Sequence, residues 1–371
     1  MFGINGKFGF GCMRLPMMEN GKVDIEQTKS MVDSFMQAGF NYFDTAHVYL
    51  GGQSETALRE ALVARYPRES YLIADKITYP QFGNEAGILP FFEEELKALG
   101  VDYIDVLLMH GVNAVSYEKF KEYKAFEKGF KLKEEGKVHH VGLSFHDSPD
   151  VIDRILTDFP EIEVVQLQLN YLDFDSEAVR SEKCLEVCRK HNKPVIVMEP
   201  LKGGSLVNLP QKADEVLKNL GTDSNAGYAL RFAVQQEGVA CVLSGVSSIA
   251  QMEENLRILK TPRPLTEEEN SALEEVKTII RSMNLIPCTG CRYCTPGCPV
   301  HIEIPSLFTC MNTQTIFPGH GNYNYYFRNT ANGRAPSDCI MCGQCERACP
   351  QHLKIRDLLK QVGELFEAPE H

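Results

Sequence analysis

The sequence predicts an α/β protein in two parts: a closed (β/α)8 barrel followed by a small cysteine-rich domain. Three observations carry this reading. Short apolar runs alternate eight times with longer amphipathic stretches over roughly the first 260 residues. Eight of the thirteen cysteines fall in two short segments near the end of the chain. No G-x-G-x-x-G follows the first apolar run, which argues against an open doubly wound sheet, the alternative for the same alternation.

The elements follow in order. Apolar runs at 8–13, 40–44, 71–76, 104–110, 138–144, 164–170, 194–199 and 239–244 read as strands. Amphipathic stretches at 25–38, 55–65, 91–99, 117–135, 151–159, 177–191, 225–236 and 249–259 read as helices. Eight such units are the pattern of a TIM barrel. Ile4-Asn5-Gly6-Lys7 reads as a tight hairpin turn, giving a small ribbon that plugs the barrel bottom. A further acidic helix, 265–283, opens with Thr266 and Glu269 at capping-box spacing. These elements divide the chain into a barrel at 1–262, a linker helix at 263–286 and a cysteine-rich domain at 287–371. Segment 299–338, rich in Tyr, Asn and Gly, separates the two cysteine runs, and a short helix at 355–366 follows them.

Composition narrows the function. Hydrophobic residues make up 43% and charged residues 24%, ordinary values for a globular protein in water. The net charge of −12, with no basic block, argues against a nucleic-acid partner. No apolar run approaches a membrane span, and the first residues lack the basic and apolar pattern of a secretion signal. The expected compartment is the cytoplasm.

The cysteine runs are specific. Residues 288–299 and 339–350 each read C-x2-C-x2-C-x3-C-P. In this spacing three thiolates hold one 4Fe-4S cluster and the fourth serves the other cluster. Cluster one takes Cys288, Cys291, Cys294 and Cys349; cluster two takes Cys339, Cys342, Cys345 and Cys298. Tetrahedral zinc uses paired C-x2-C units rather than three close cysteines and a fourth before proline. Two such clusters carry single electrons, or they staple a small domain together. Of the other cysteines, Cys12, Cys184, Cys188, Cys241 and Cys310, each reads as a buried small apolar residue.

Active sites of such barrels lie at the C-terminal ends of the strands. There the sequence places Asp44 with Tyr49 five residues on, then Lys76, His110, Ser144, Asn170, Glu199 and Ser244. Asp44 would hold Lys76, whose ammonium would favour the phenolate of Tyr49. Tyr49 could then protonate a nascent alkoxide, with His110 donating a hydrogen bond to the same oxygen.

Phe43-Asp44-Thr45-Ala46-His47-Val48-Tyr49 with Gly52-Gln53-Ser54-Glu55 resembles the aldo-keto reductase signature, and the opening 8–16 resembles that family's first strand. Lys76 and His110 fall at the family's other two catalytic positions. The whole chain resembles the branch with a C-terminal dicluster 4Fe-4S ferredoxin-type domain. The resemblance implies a barrel, NADP or NAD, and reversible reduction of a small-molecule carbonyl substrate. It places cofactor contacts at Gly11, Met13 and Arg14 after the first strand, and at Ser144, Gln166 and Met198. Ser244, Gly245, Ser247, Gln251, Glu254 and Asn255 resemble the adenosine and phosphate segment. The chain departs from the family in three ways. No Lys or Arg occupies 245, 246 or 251 to meet an extra phosphate, Met198 stands where many members stack an aromatic ring, and Glu199 is an acid where a neutral residue is common. Three functions therefore stay open. They are a nicotinamide-dependent carbonyl reductase, a reductase fed by a ferredoxin or other electron-transfer protein, and a barrel that senses redox state without turnover.

Overall fold

The computed structural model describes residues 2–176, 179–316, 320–330 and 333–367. The start of the helix expected at 177–191, parts of 299–338 and the last residues of the chain lie outside the described residues. Compact grouping of the chain gives two units, Met1–Pro200 with Ala226–Leu265, and Leu201–Asn225 with Thr266–His371.

The first unit is the barrel. Eight parallel strands close in sequence order: β1 Phe8–Gly11, β2 Tyr42–Asp44, β3 Leu72–Thr78, β4 Ile104–Val112, β5 Val138–Phe145, β6 Val164–Gln168, β7 Val195–Met198 and β8 Val239–Gly245. β1 pairs with both β2 and β8, so no edge remains in the sheet. All eight coincide with the expected apolar runs, to within two residues at each end. Tyr42, Ala74, Val106, Leu108, Val164, Ile196, Cys241 and Leu243 fill one interior cluster.

The surrounding helices are α1 Ile25–Gln37, α2 Gln53–Leu58, α3 Ile88–Leu99, α4 Ala114–Glu122, α5 Ala125–Glu134, α6 Pro149–Asp158 and α7 Ser181–Lys190. α8 Gln211–Leu220 belongs to the second unit, and α9 Asn225–Val234 and α10 Ile249–Leu259 complete the series. Asp24 caps α1 by accepting from the Gln27 amide at 3.0 Å, and α3 stops at Gly100 in the left-handed conformation.

Four expectations need correction. The stretch 117–135 is two helices, because Lys124 takes a left-handed φ of 53° between α4 and α5. The stretch 55–65 is the short α2 followed by a π turn at Arg59–Val63. An extra helix, α8, lies between β7 and β8. The N-terminal segment forms turns rather than a ribbon among the described residues. Phe2 and Ile4 still pack on the interior cluster of the barrel, and Asn41 fixes them by accepting from the Asn5 amide and donating to the Gly3 carbonyl.

The second unit contains α8, α11 Glu267–Ser282, α12 Ile304–Ile316, α13 His320–Thr330, the single turn α14 Gln344–Arg347 and α15 Ile355–Phe366. Thr266 and Glu269 form the reciprocal capping box at the start of α11. Segment 299–338 thus carries two helices. Ile302, Leu307, Phe308, Tyr326, Leu359 and Phe366 make its core, with Cys294 and Cys345 buried among them.

Candidate functional site

β2 ends on Asp44, and β3 carries Lys76 two residues before its end. Lys76 Nζ lies 2.7 Å from Asp44 Oδ1 and also donates to the Thr45 carbonyl. Lys76 is wholly buried and Asp44 is 3% exposed. Removing one partner would strand a charge away from water, so the pair is held in place. The second oxygen of Asp44 accepts from Gln166 Nε2 at 2.8 Å.

Tyr49 opens a tight turn, Tyr49–Gly52, in which Leu50, Gly51 and Gly52 all have positive φ. That turn is anchored from behind. Thr45 Oγ1 hydrogen-bonds Ser54 Oγ at 2.8 Å, and Ser54 donates to the Cys12 carbonyl at 3.0 Å. The anchored turn sets the Tyr49 ring with its centroid 4.7 Å from Lys76 Nζ. His110 meets the same ring edge-on, with centroids 5.9 Å apart. Parallel register places Thr78 beside His110, and Thr78 Oγ1 hydrogen-bonds His110 Nδ1 at 2.8 Å. Burial first, then the Lys76 charge, holds the His110 imidazole well below its ordinary pKa. The ring is therefore neutral at pH 7. Thr78 was not foreseen from sequence, because the charge of Lys76 masked the last two residues of β3.

The residues expected at a nucleotide fall into two groups. Near the centre, Ser144 Oγ accepts from the Gly111 amide at 2.8 Å, Ser144 and Gln166 are register partners, and Met198 is half-buried beside Gln168. At the β8 end, Asn255 donates to Ser244 Oγ at 2.8 Å, and Gly11 pairs with Gly245. Ser247 Oγ donates to the Arg14 carbonyl, while its amide donates to Gln251 Oε1 at 2.7 Å. The Arg14 side chain lies directly on Gly245: a Cβ added there would meet Arg14 carbons at 3.4 Å. The aliphatic stem of Arg14, in the chain after β1, thus packs on the segment that has no Lys or Arg at 245, 246 or 251. Met13 and Glu254 are half-buried.

In the second unit Cys288, Cys291, Cys294 and Cys349 line one pocket, with Ile304 and Phe308. Burial first, then Cys291, Cys288 and Cys349, push the Cys294 thiol up to about 12. Burial likewise raises Cys345 to about 11, and Cys339 and Cys298 both act on it. Each run thus meets the fourth cysteine of the other. Bare thiolates this close repel one another, and a cationic metal group offsets that repulsion. The donor set fits an iron-sulfur cluster.

Comparison with known proteins agrees with this geometry. The profile of the aldo/keto reductase family matches residues 7–278, and that of the 4Fe-4S dicluster domain matches residues 287–353. An uncharacterized oxidoreductase of Bacillus subtilis, YqkF, is 28% identical over 297 residues, covering 72% of this chain and 90% of that relative. L-galactose dehydrogenase of Arabidopsis thaliana is 26% identical over 292 residues, covering 73% of this chain and 89% of that protein. Among solved structures, the holo form of the aldo-keto reductase AKR11C1 from Bacillus halodurans is 27% identical with a TM-score of 0.59, over 73% of this chain and 91% of that one. An aldo-keto reductase from Klebsiella pneumoniae in complex with NADPH has the same fold, with 21% identity and a TM-score of 0.60 over 73% of this chain and 90% of that one. The chain belongs to the aldo/keto reductase family: it is an oxidoreductase barrel followed in sequence by a 4Fe-4S dicluster domain.

Proposed function

We propose that the protein reduces a carbonyl group on a small molecule with NADPH or NADH, and that its two 4Fe-4S clusters exchange electrons with a partner protein such as a ferredoxin. The observation that carries this reading is the buried Lys76–Asp44 pair beneath Tyr49, with neutral His110 against the same ring. When bound, a nicotinamide supplies hydride to the carbonyl carbon. Tyr49 gives its hydroxyl proton to the carbonyl oxygen, and Lys76 stabilises the charge left on the ring. We assign the Thr78 hydroxyl as donor to His110 Nδ1 at 2.8 Å over its longer 3.3 Å contact with the Lys76 carbonyl, which leaves Nε2–H to hydrogen-bond the same oxygen. Gln166 and Asp44 keep the ammonium in place.

Support for the nucleotide comes from Arg14, which can meet a phosphate beside Gly245, and from Ser247 and Ser248 before α10. The relative in complex with NADPH shares the fold. For the clusters, the support is the cross-run grouping of cysteines, with Cys288, Cys291, Cys294 and Cys349 around one pocket and Cys339 and Cys298 both acting on Cys345. Two neighbouring clusters suit electron transfer better than a structural staple.

A second reading, a reductase fed by the clusters without a nicotinamide, draws on one observation. The Gln166 amide group and the Ser247 amide, two groups a nucleotide would use, are engaged by Asp44 and Gln251. One titration separates the readings. Anaerobic, cluster-loaded protein is mixed with NADPH or NADH, following binding by fluorescence and cluster reduction by absorbance and EPR. Binding that is weakened in Arg14→Ala, with Tyr49→Phe lowering kcat by about 10²–10⁴-fold, supports the nicotinamide reading. Absence of binding by either nucleotide would sink it and leave the cluster-fed reading.

A further inference from the structure

β3 has two faces, and the outer one carries a second group of ionisable residues. Lys76 serves the barrel mouth, and its neighbour Asp75 projects to the opposite side of the strand. There Asp75 meets Glu55 from α2 and Glu95 from α3, with an oxygen of each within 4.8 Å of the other two. The three residues are 1% exposed or less. Glu95 occupies the face of α3 that otherwise buries Ile88, Phe91, Phe92 and Leu99. An acid there gains nothing from packing and is costly to desolvate.

Two of the three carboxylates are held from behind. Asp75 Oδ1 accepts the Lys76 backbone amide at 2.9 Å, and Glu55 Oε2 meets His47 Nδ1 at 3.0 Å. The remaining oxygens, Glu55 Oε1, Asp75 Oδ2 and both of Glu95, have no hydrogen-bond partner among the described residues. Glu95 is the independent sign of a ligand. It is fully buried, neither of its oxygens is partnered, and it is aimed at the other two acids. Lys76, whose charge acts on Asp75 and Glu95, is already paired with Asp44.

We propose that Glu55, Asp75 and Glu95 form a binding site for one hard divalent cation of the Ca2+, Mn2+ and Mg2+ class. Donors no more than 4.8 Å apart share a point within about 2.8 Å of each, and a small closure reaches the roughly 2.3–2.6 Å of calcium–oxygen bonds. An all-oxygen anionic set selects hard ions over zinc or copper. The Lys76 amide and His47 act as the outer contacts that orient two of the ligands. A divalent ion offsets two of the three carboxylate charges. The bound ion would tie α2 and α3 to the strand that carries Lys76.

The test uses the full, cluster-loaded chain with its clusters oxidised and EPR-silent. Mn2+ is titrated in, and its free signal is read by EPR, with Ca2+ and Mg2+ as competitors and the thermal midpoint as a second readout. The expected result is one saturable Mn2+ per chain, displaced by Ca2+, with a raised Tm. Glu95→Gln keeps the shape and should weaken Mn2+ at least about tenfold with cluster absorbance and circular dichroism unchanged. Should that variant not fold, Glu55→Gln is read the same way. Failure of the wild type to bind Mn2+, or equal binding by the variant, overturns the proposal. A higher Tm in Glu95→Gln with no metal response would identify a proton-sharing triad and overturn it too.

Discussion

At the scale of single residues, His110 links geometry to pH. Its imidazole is neutral in the fold, because burial and Lys76 disfavour the cation. In the unfolded chain it protonates near its ordinary value of 6.5. The unfolded state therefore binds more protons below that pH. The stability His110 contributes is complete above about 6.5 and is lost as pH falls toward the lowered folded value. His110→Gln should remove about 1 kcal/mol of the stability lost between roughly pH 7.5 and 5.5. Urea midpoints at both pH values check this, and identical losses in the two proteins would refute it. Thr78→Val leaves Nδ1 without its partner in a buried place. It should cost about 1–3 kcal/mol of stability and lower kcat more than it changes KM. An unaltered kcat would remove Thr78 from the account. Asp44, Lys76 and His110 were legible in the sequence because each interrupts or closes an apolar run at the mouth end of a strand. Thr78 was not, since a hydroxyl beyond a lysine looks like the first residue of a loop. Arg14 was legible as a first-strand residue, but its place against Gly245 depends on strands far apart in sequence becoming neighbours.

At the scale of elements, periodicity located every strand but could not see breaks made by backbone conformation. The stretch 117–135 stays amphipathic throughout, so nothing in its pattern announces that Lys124 turns left-handed and splits it. The acids at 75 and 95 were not singled out from sequence, because each sits inside an otherwise regular run and only the folded packing brings them together. Strand packing makes its own demand at Gly142 in β5. A Cβ there would lie 2.3 Å from the Val164 carbonyl oxygen and 2.9 Å from a Leu108 methyl group. The carbonyl belongs to the adjacent strand β6 and cannot swing aside as a side chain could. Gly142→Ala should therefore destabilise the barrel by about 1–3 kcal/mol, in the manner of an overpacked core. A urea midpoint equal to that of the wild type would show that β5 and β6 can part at no cost.

At the scale of the whole molecule, chain order and compact grouping differ in an informative way. Segment Leu201–Asn225 lies between β7 and β8 in sequence, yet it belongs to the unit that carries the cysteines. α8 within it packs on α11, and Thr222 donates to Glu269 at 2.7 Å. Gly203 shows how tight this association is. A Cβ at Gly203 would fall 2.2 Å from the carbonyl oxygen of Thr289, the residue after Cys288. Its φ of 65° adds the penalty any side chain meets in the left-handed region. Gly203→Ala should therefore displace the first cysteine run and lower iron content. Gly221→Ala isolates the backbone penalty, because Gly221 has a φ of 63° but an added Cβ would have only an ordinary 3.7 Å contact with Lys218. That variant should lose about 1–2 kcal/mol and keep its full iron. Iron per chain and the cluster absorbance distinguish the two. Equal iron in both variants would mean that the β7–β8 connection does not shape the cluster site. Loss confined to Gly203→Ala would mean that a loop of the barrel sequence helps to build the cysteine cage.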